Sequence, residues 1–200
     1  MKLTDRFTDE IEFNGQIFAL NLAFDNVLRT NELLQSDSFD DYEKIEILFE
    51  MLVKNAYEFD LSIEDKAEFI GFLFEKVLFP KSPESGGKAY YDFEQDAGFI
   101  YASFLQDYKM DLFDMQGKLH WEKFKALLDG LSDDTKFKEV VAIRAQKIPA
   151  PTKYNQEERK RIIELKRVYR LKNEKPSLDE ADAALTSIGE SLKRSYKKGR

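Results

Sequence analysis

Near its start the chain alternates apolar and polar residues, and from Asn21 onward the apolar residues recur at helical spacing instead. Asn14-Gly15 sits between two strand-like runs, and this dipeptide suits a two-residue turn that needs positive φ at both positions. Pairing across that turn sets Ile11 opposite Phe18 and Phe13 opposite Gln16, with Leu20 further along the same face. The other face carries Glu10, Glu12, Ile17 and Ala19. One side of the hairpin is thus the more apolar and is expected to lie on a helical core, because a lone hairpin is marginal in water.

The spacing then predicts a series of helices. The first spans Leu22 to Leu34, and the second Tyr42 to Asn55, with Ile45, Leu48, Phe49 and Leu52 on one face and Ser38 with Asp41 as the capping pair. Ser62 with Asp65 repeats that device before a third helix, Ala67 to Phe79, which Pro80 stops. Lys81 to Lys88, with Pro83, Gly86 and Gly87, reads as a connecting loop; it lacks the Gly-Lys-Ser/Thr ending of a phosphate-cradling loop. Phe93, Ala97, Ile100, Tyr101, Phe104 and Tyr108 trace a helical face over Asp92 to Tyr108. Two helices follow, Trp121 to Leu128 and Thr135 to Gln146, with Ser132-Asp133-Asp134 as the capping cluster between them. Pro149 and Pro151 mark a linker over Ile148 to Tyr154. Asn155 and Glu158 then cap a basic helix to about Leu171, and Ser177 with Glu180 opens a last one to about Lys193.

These elements define a mainly α fold: a helical domain with an N-terminal β-hairpin over residues 1–147, and a linker with basic C-terminal helices over 148–200. The 200 residues, 42% hydrophobic and with 17 Phe, can build a real core. Cys is absent, which removes disulfides, thiolate nucleophiles and Cys-ligated zinc. The opening ten residues offer no apolar stretch for a secretory signal, and the apolar run Phe69 to Phe79 is too short to span a bilayer, so the expected compartment is the cytoplasm. The net charge of −7 hides an asymmetry: residues 1–140 hold 15 Lys/Arg against 30 Asp/Glu, while 141–200 hold 16 against 8. An acidic body disfavours nucleic acid as its partner and leaves that option to the tail, which could equally fold back on the body.

Several residue groups invite a chemical reading. Asp92, Glu94 and Asp96 resemble half of a calcium loop, but the sixth and twelfth positions hold Ala97 and Ser103 where Gly and Glu are needed, so N-terminal helix charge is the expected role. Asp107, Asp111 and Asp114 have no histidine or further carboxylate at ligand spacing and read as a solvated acidic edge. His120, the sole histidine, rules out a Ser-His-Asp triad or a multi-histidine zinc site and is expected as a structural imidazole. Arg159, Lys160 and Arg161, with Lys166, Arg167 and Arg170, could hold phosphates or simply form the outer face of a docked helix. Leu178, Ala181, Leu185, Ile188 and Leu192 form a narrow apolar stripe, read either as a partner-binding surface (Leu178, Leu185, Ile188, Leu192) or as packing on the chain's own domain. No catalytic residue, cofactor or metal site is assigned.

The blocks Asp92-Phe-Glu-Gln-Asp-Ala-Gly-Phe-Ile-Tyr-Ala-Ser-Phe-Leu-Gln-Asp-Tyr108, Gly117-Lys-Leu-His-Trp-Glu-Lys-Phe-Lys-Ala-Leu-Leu-Asp-Gly-Leu131 and Thr135-Lys-Phe-Lys-Glu-Val-Val-Ala-Ile-Arg144 resemble the bacteriophage "gene product fifteen" family. The opening hairpin, Leu22 to Val27 and the helix after Pro151 share the likeness, which runs to about Leu171. The resemblance implies a protein of tailed phages of Gram-positive bacteria, encoded between the major tail protein and the tape-measure protein as tail assembly chaperones are. It implies binding to the tape-measure protein and to the major tail protein in the host cytoplasm, absence from the mature virion and no catalytic residues; a homo-oligomer is left open. A structural tail component retained in the virion and a nucleic-acid-binding regulator are the alternatives, no membrane association is expected, and an enzyme is the least expected class.

Overall fold

Positive φ at both Asn14 (49°) and Gly15 (77°) closes the expected hairpin. Its strands, β1 (Glu10–Phe13) and β2 (Gln16–Ala19), pair antiparallel with Ile11 opposite Phe18 and Phe13 opposite Gln16, the register read from the sequence. Phe18 and Leu20 are buried while Glu10, Glu12 and Ile17 face outward, so the apolar side does lie on a helical core. The computed structural model describes residues 9–79, 90–150 and 152–172. These form two compact units, the first from 9–79 and 116–124, the second from 90–115, 125–150 and 152–172. They group differently from the division at 147/148 that the predicted linker suggested: residues on both sides of that point belong to the second unit.

In the first unit the hairpin is clasped to the end of a helix. The Asn21 N–H donates to the Leu52 carbonyl at 2.8 Å and the Lys54 N–H donates to the Ala19 carbonyl at 2.7 Å. Three helices supply the core: α1 (Phe24–Gln35), α2 (Asp41–Leu52) and α3 (Ile63–Leu73). The Ser62 hydroxyl caps α3 through the Asp65 N–H, as expected. The cap of α2 is not Ser38 with Asp41 but Asp40 with Glu43, each side chain accepting the other's backbone N–H in a capping box. Buried Asn26 ties α1 to α2 by donating to the Asn21 and Met51 carbonyls at 3.0 and 2.7 Å.

Aromatic rings fill the space between these elements. Phe18 lies 4.3 Å from Phe69 and 4.5 Å from Phe59, and Phe49 meets all three edge-on. Each such pair adds about 0.5–1.5 kcal/mol beyond the area it buries. The α-helix expected to reach Phe79 ends at Leu73 and continues as one π turn, Phe74–Leu78. The wider turn presents the Leu78 carbonyl to the Trp121 indole N–H at 2.8 Å, a bond available to Trp but to no other aromatic side chain of that shape. Trp121 also stacks on Phe124, which stacks on Phe24, and its backbone N–H donates to the Leu22 carbonyl.

The second unit takes α4 (Ala97–Tyr108), the later part of α5 (Trp121–Asp129), α6 (Lys136–Ala145) and α7 (Gln156–Val168). Thr135, rather than the preceding Ser132-Asp133-Asp134, caps α6 through the Lys138 N–H. Asn155 does not cap α7; its side chain instead joins the Thr152 N–H and the Ala150 carbonyl. The unit centres on a buried ion pair. Asp96, wholly buried just before α4, receives both arms of the Arg144 guanidinium at 2.6 and 2.8 Å, and the same guanidinium donates to the Tyr90 and Tyr169 carbonyls.

Replacing Arg144 by Met should leave the Asp96 carboxylate buried without its counter-charge and cost about 3–5 kcal/mol. Denaturant titration followed by circular dichroism checks this, and adding Asp96→Leu to that variant is expected to recover part of the loss. Tyr91, packed edge-on against Phe93 and Phe137, has its phenol pushed above the usual 10.0 by burial and, secondarily, by Asp129. The neutral phenol is the form the fold favours. Its contribution should therefore hold up to about pH 10 and fall as pH rises through the raised value, a decline that Tyr91→Phe should flatten in alkaline unfolding curves.

Candidate functional site

The acidic residues that suggested metals are engaged with the protein itself. Asp92 accepts the Glu94 and Gln95 N–H groups at 3.0 and 2.6 Å, closing the turn before α4. Asp96 lies in the Arg144 fork and also accepts the Asp92 N–H at 3.0 Å. Its role is therefore a buried counter-ion, where the sequence pattern suggested exposed helix-end charge. Asp107 is not merely solvated: it accepts both the N–H and the hydroxyl of Ser132, at 2.8 and 3.1 Å, and so fixes the connection before α6. Asp111 accepts the Tyr101 hydroxyl at 3.1 Å, and this bond, with burial as a lesser cause, holds the Tyr101 phenol above its ordinary 10.0. Among the described residues no three His, Asp or Glu side chains are gathered for a metal ion.

His120 sits immediately before α5. Its Nδ1 accepts the Glu122 N–H at 3.1 Å, which places the ring proton on Nε2, 3.4 Å from an Asp9 carboxylate oxygen. The imidazole caps a helix start, the structural role expected of it.

Helix α7 carries the cations proposed to hold phosphate. Arg159, Lys160 and Arg161 occupy successive positions about 100° apart, so they do not share one face. Arg159 is half-buried, while Lys160 and Arg161 are exposed. Lys160 donates to Glu157 at 2.8 Å, a bond that raises its pKa above 10.5. The face that does form runs Lys160, Ile163, Arg167, at the i, i+3, i+7 spacing of one helical stripe, all three exposed, while Arg170, also exposed, lies just beyond the helix end. On the opposite face Ile162 is the buried residue of α7. Polar clasps attach the helix: Lys166 donates to the Arg144 carbonyl at 2.6 Å, and Gln95 bonds both the Arg170 carbonyl and the Lys172 N–H at 3.0 Å. The apolar stripe Leu178, Leu185, Ile188, Leu192 lies outside the described residues.

One surface escaped the sequence reading. After α2 the chain turns through Asn55, at φ 57°, into a 3₁₀ turn, Ala56–Glu58. This turn walls a groove of about 400 Å³ lined by Phe49, Glu50, Val53, Tyr57, Phe59 and Lys66. Tyr57 stands at its lip 85% exposed. Glu43, Glu46 and Glu50 form a stripe along α2 leading to the groove. Lys66, at 2.6 Å from Glu46, lies over the Phe49 ring, 5.4 Å from its centroid. Ala56-Tyr57-Glu58 is too short to show a helical period, which is why spacing gave no sign of the turn.

No curated protein and no solved structure matches the chain. A family profile described as "Bacteriophage Gp15 protein" matches residues 3–171. That span takes in every strand and helix described above, together with the three blocks on which the resemblance was recognised. The chain belongs to the bacteriophage Gp15 protein family.

Proposed function

We propose that this protein is a phage tail assembly chaperone that binds the tape-measure protein and aids assembly of the tail tube around it, acting in the host cytoplasm and leaving before the virion is complete. The observation that carries the reading is membership of the Gp15 family over residues 3–171, which points to a phage structural or tail-related protein. The surface chemistry supports a protein client. The α2 groove offers exposed Tyr57 and half-buried Phe59, and α7 exposes Ile163 and Val168, apolar groups at which another polypeptide can be desolvated. The acidic charge of residues 1–140 favours solubility while such groups stay exposed. No described helix is long and apolar enough to cross a membrane.

Co-expression with tape-measure fragments should yield a complex that co-purifies and keeps the fragments soluble, and deleting the gene should leave heads without tails. Mass spectrometry of purified particles is expected to find the protein absent or far below stoichiometry. Stoichiometric presence would favour a structural tail component instead, and loss of neither solubility nor tails would overturn the chaperone reading.

A further inference from the structure

Two exposed helical faces of this chain are complementary in charge and similar in length. On α7, Lys160 and Arg167 flank Ile163 along one stripe, and Arg170 follows just beyond the helix end. On α2, exposed Glu43 and Glu50, with half-buried Glu46 between them paired to Lys66, follow the same spacing and end at the groove of Phe49, Val53, Tyr57 and Phe59. The helices have 13 and 12 residues, so each spans roughly 18–20 Å. We infer that the α7 face of one copy docks on the α2 face of a second copy, with Ile163 entering the groove beside Tyr57 and the cations meeting the glutamates.

The choice of a second copy rests on charge and exposure. Residues 9–79 carry 17 Asp/Glu against 5 Lys/Arg, whereas residues 156–172 carry 7 Lys/Arg against 3 Asp/Glu. Both faces are open in the single chain: Tyr57 is 85% and Ile163 45% exposed. Nucleic acid suits α7 less well. Lys160 and Arg167 each have a glutamate nearby, at 2.8 and 3.8 Å, so the helix carries little net positive field, and a short mixed-charge contact suits it better than a densely charged phosphate backbone. Exposed Ile163 gains by desolvation against an apolar groove but gains little against a phosphate. The two docking faces are different surfaces, so the contact is head-to-tail, and each copy retains one unused face of either kind for further copies. This inference stands apart from the client reading, since it requires the purified chain alone.

Sedimentation velocity of the full chain tests it. At low ionic strength the average mass should grow with concentration to at least about twice that of the monomer, and it should return to the monomer in about 1 M salt, where screening shortens to roughly 3 Å. Arg167→Glu with Arg170→Glu, and separately Glu50→Lys with Tyr57→Ala, should each abolish association while leaving the circular dichroism of the chain unchanged. Mixing these two variants should restore dimers but no larger species, because each supplies the intact face that the other lacks. Monomers at every salt concentration would overturn the inference, as would association indifferent to both pairs of substitutions. So would a mixture that stays monomeric, or α7 substitutions that abolish salt-dependent binding to duplex DNA but leave self-association intact.

Discussion

Taking the Asp96 carboxylate out of water costs roughly several kcal/mol, and the Arg144 guanidinium makes that burial tolerable by presenting a rigid, planar pair of donors. The remaining donor capacity of the same guanidinium goes to the Tyr90 and Tyr169 carbonyls. One side chain therefore fixes four things: the start of α4, the end of α6, the backbone at Tyr90 and the exit from α7. The constraint is directional in a way that hydrophobic packing is not. A greasy contact would tolerate sliding of α7 along its neighbours, whereas a fork bonded at both oxygens and to two carbonyls admits one register. This matters most for α7, which buries Ile162 and little else and is otherwise held through Lys166 and Gln95.

The first unit solves the same problem by different means. Its helices are short and its hairpin has four-residue strands, so neither could persist alone. Phe18, Phe49, Phe59 and Phe69 bring the hairpin, α2 and α3 together through ring contacts that have preferred angles, and aromatic packing thus supplies some of the geometry that charge supplies elsewhere. Polar groups act at the margins, where Asn26 and the Trp121 indole satisfy carbonyls that the helix ends leave open. Both surfaces that could meet a partner are built on these frames: the groove lies against Phe49 and Phe59, and the α7 face depends on the Asp96–Arg144 pair behind it.

What could be read from the sequence was mostly local. The hairpin register followed from Asn14-Gly15 and alternation, and the cap at Ser62 from spacing within one turn, whereas the cap of α6 fell on Thr135 and not on the Ser132-Asp133-Asp134 cluster before it. Local reasoning went wrong where two plausible caps stood side by side, as with Ser38 and Asp40, or where a side chain had a better offer nearby, as with Asn155. It could not see the π turn at Phe74–Leu78, whose last carbonyl accepts from a tryptophan more than forty positions away. Asp96 reads as one of three helix-start charges because nothing within a helical turn distinguishes it from Asp92 and Glu94; its partner is 48 residues distant. The site residues were only partly legible for the same reason. Arg159, Lys160 and Arg161 stand out as a run, yet a helix scatters a run, and the stripe that shares a face needed the fold to order it.

The position of the indole also determines what optical methods can observe. The chain has a single Trp, and it is enclosed between Phe79 and Phe124 in the first unit with almost no exposure to water. Its emission should be blue-shifted in the native state and move to the red when that core opens, so intrinsic fluorescence follows one half of the molecule. The second unit contains Tyr90, Tyr91, Tyr101, Tyr108, Tyr154 and Tyr169 but no Trp, so most of the described tyrosines, and with them most of the tyrosine signal in the near-ultraviolet, lie there. Comparing the two signals across one melt separates an aromatic core from an ion-paired one, with no label introduced.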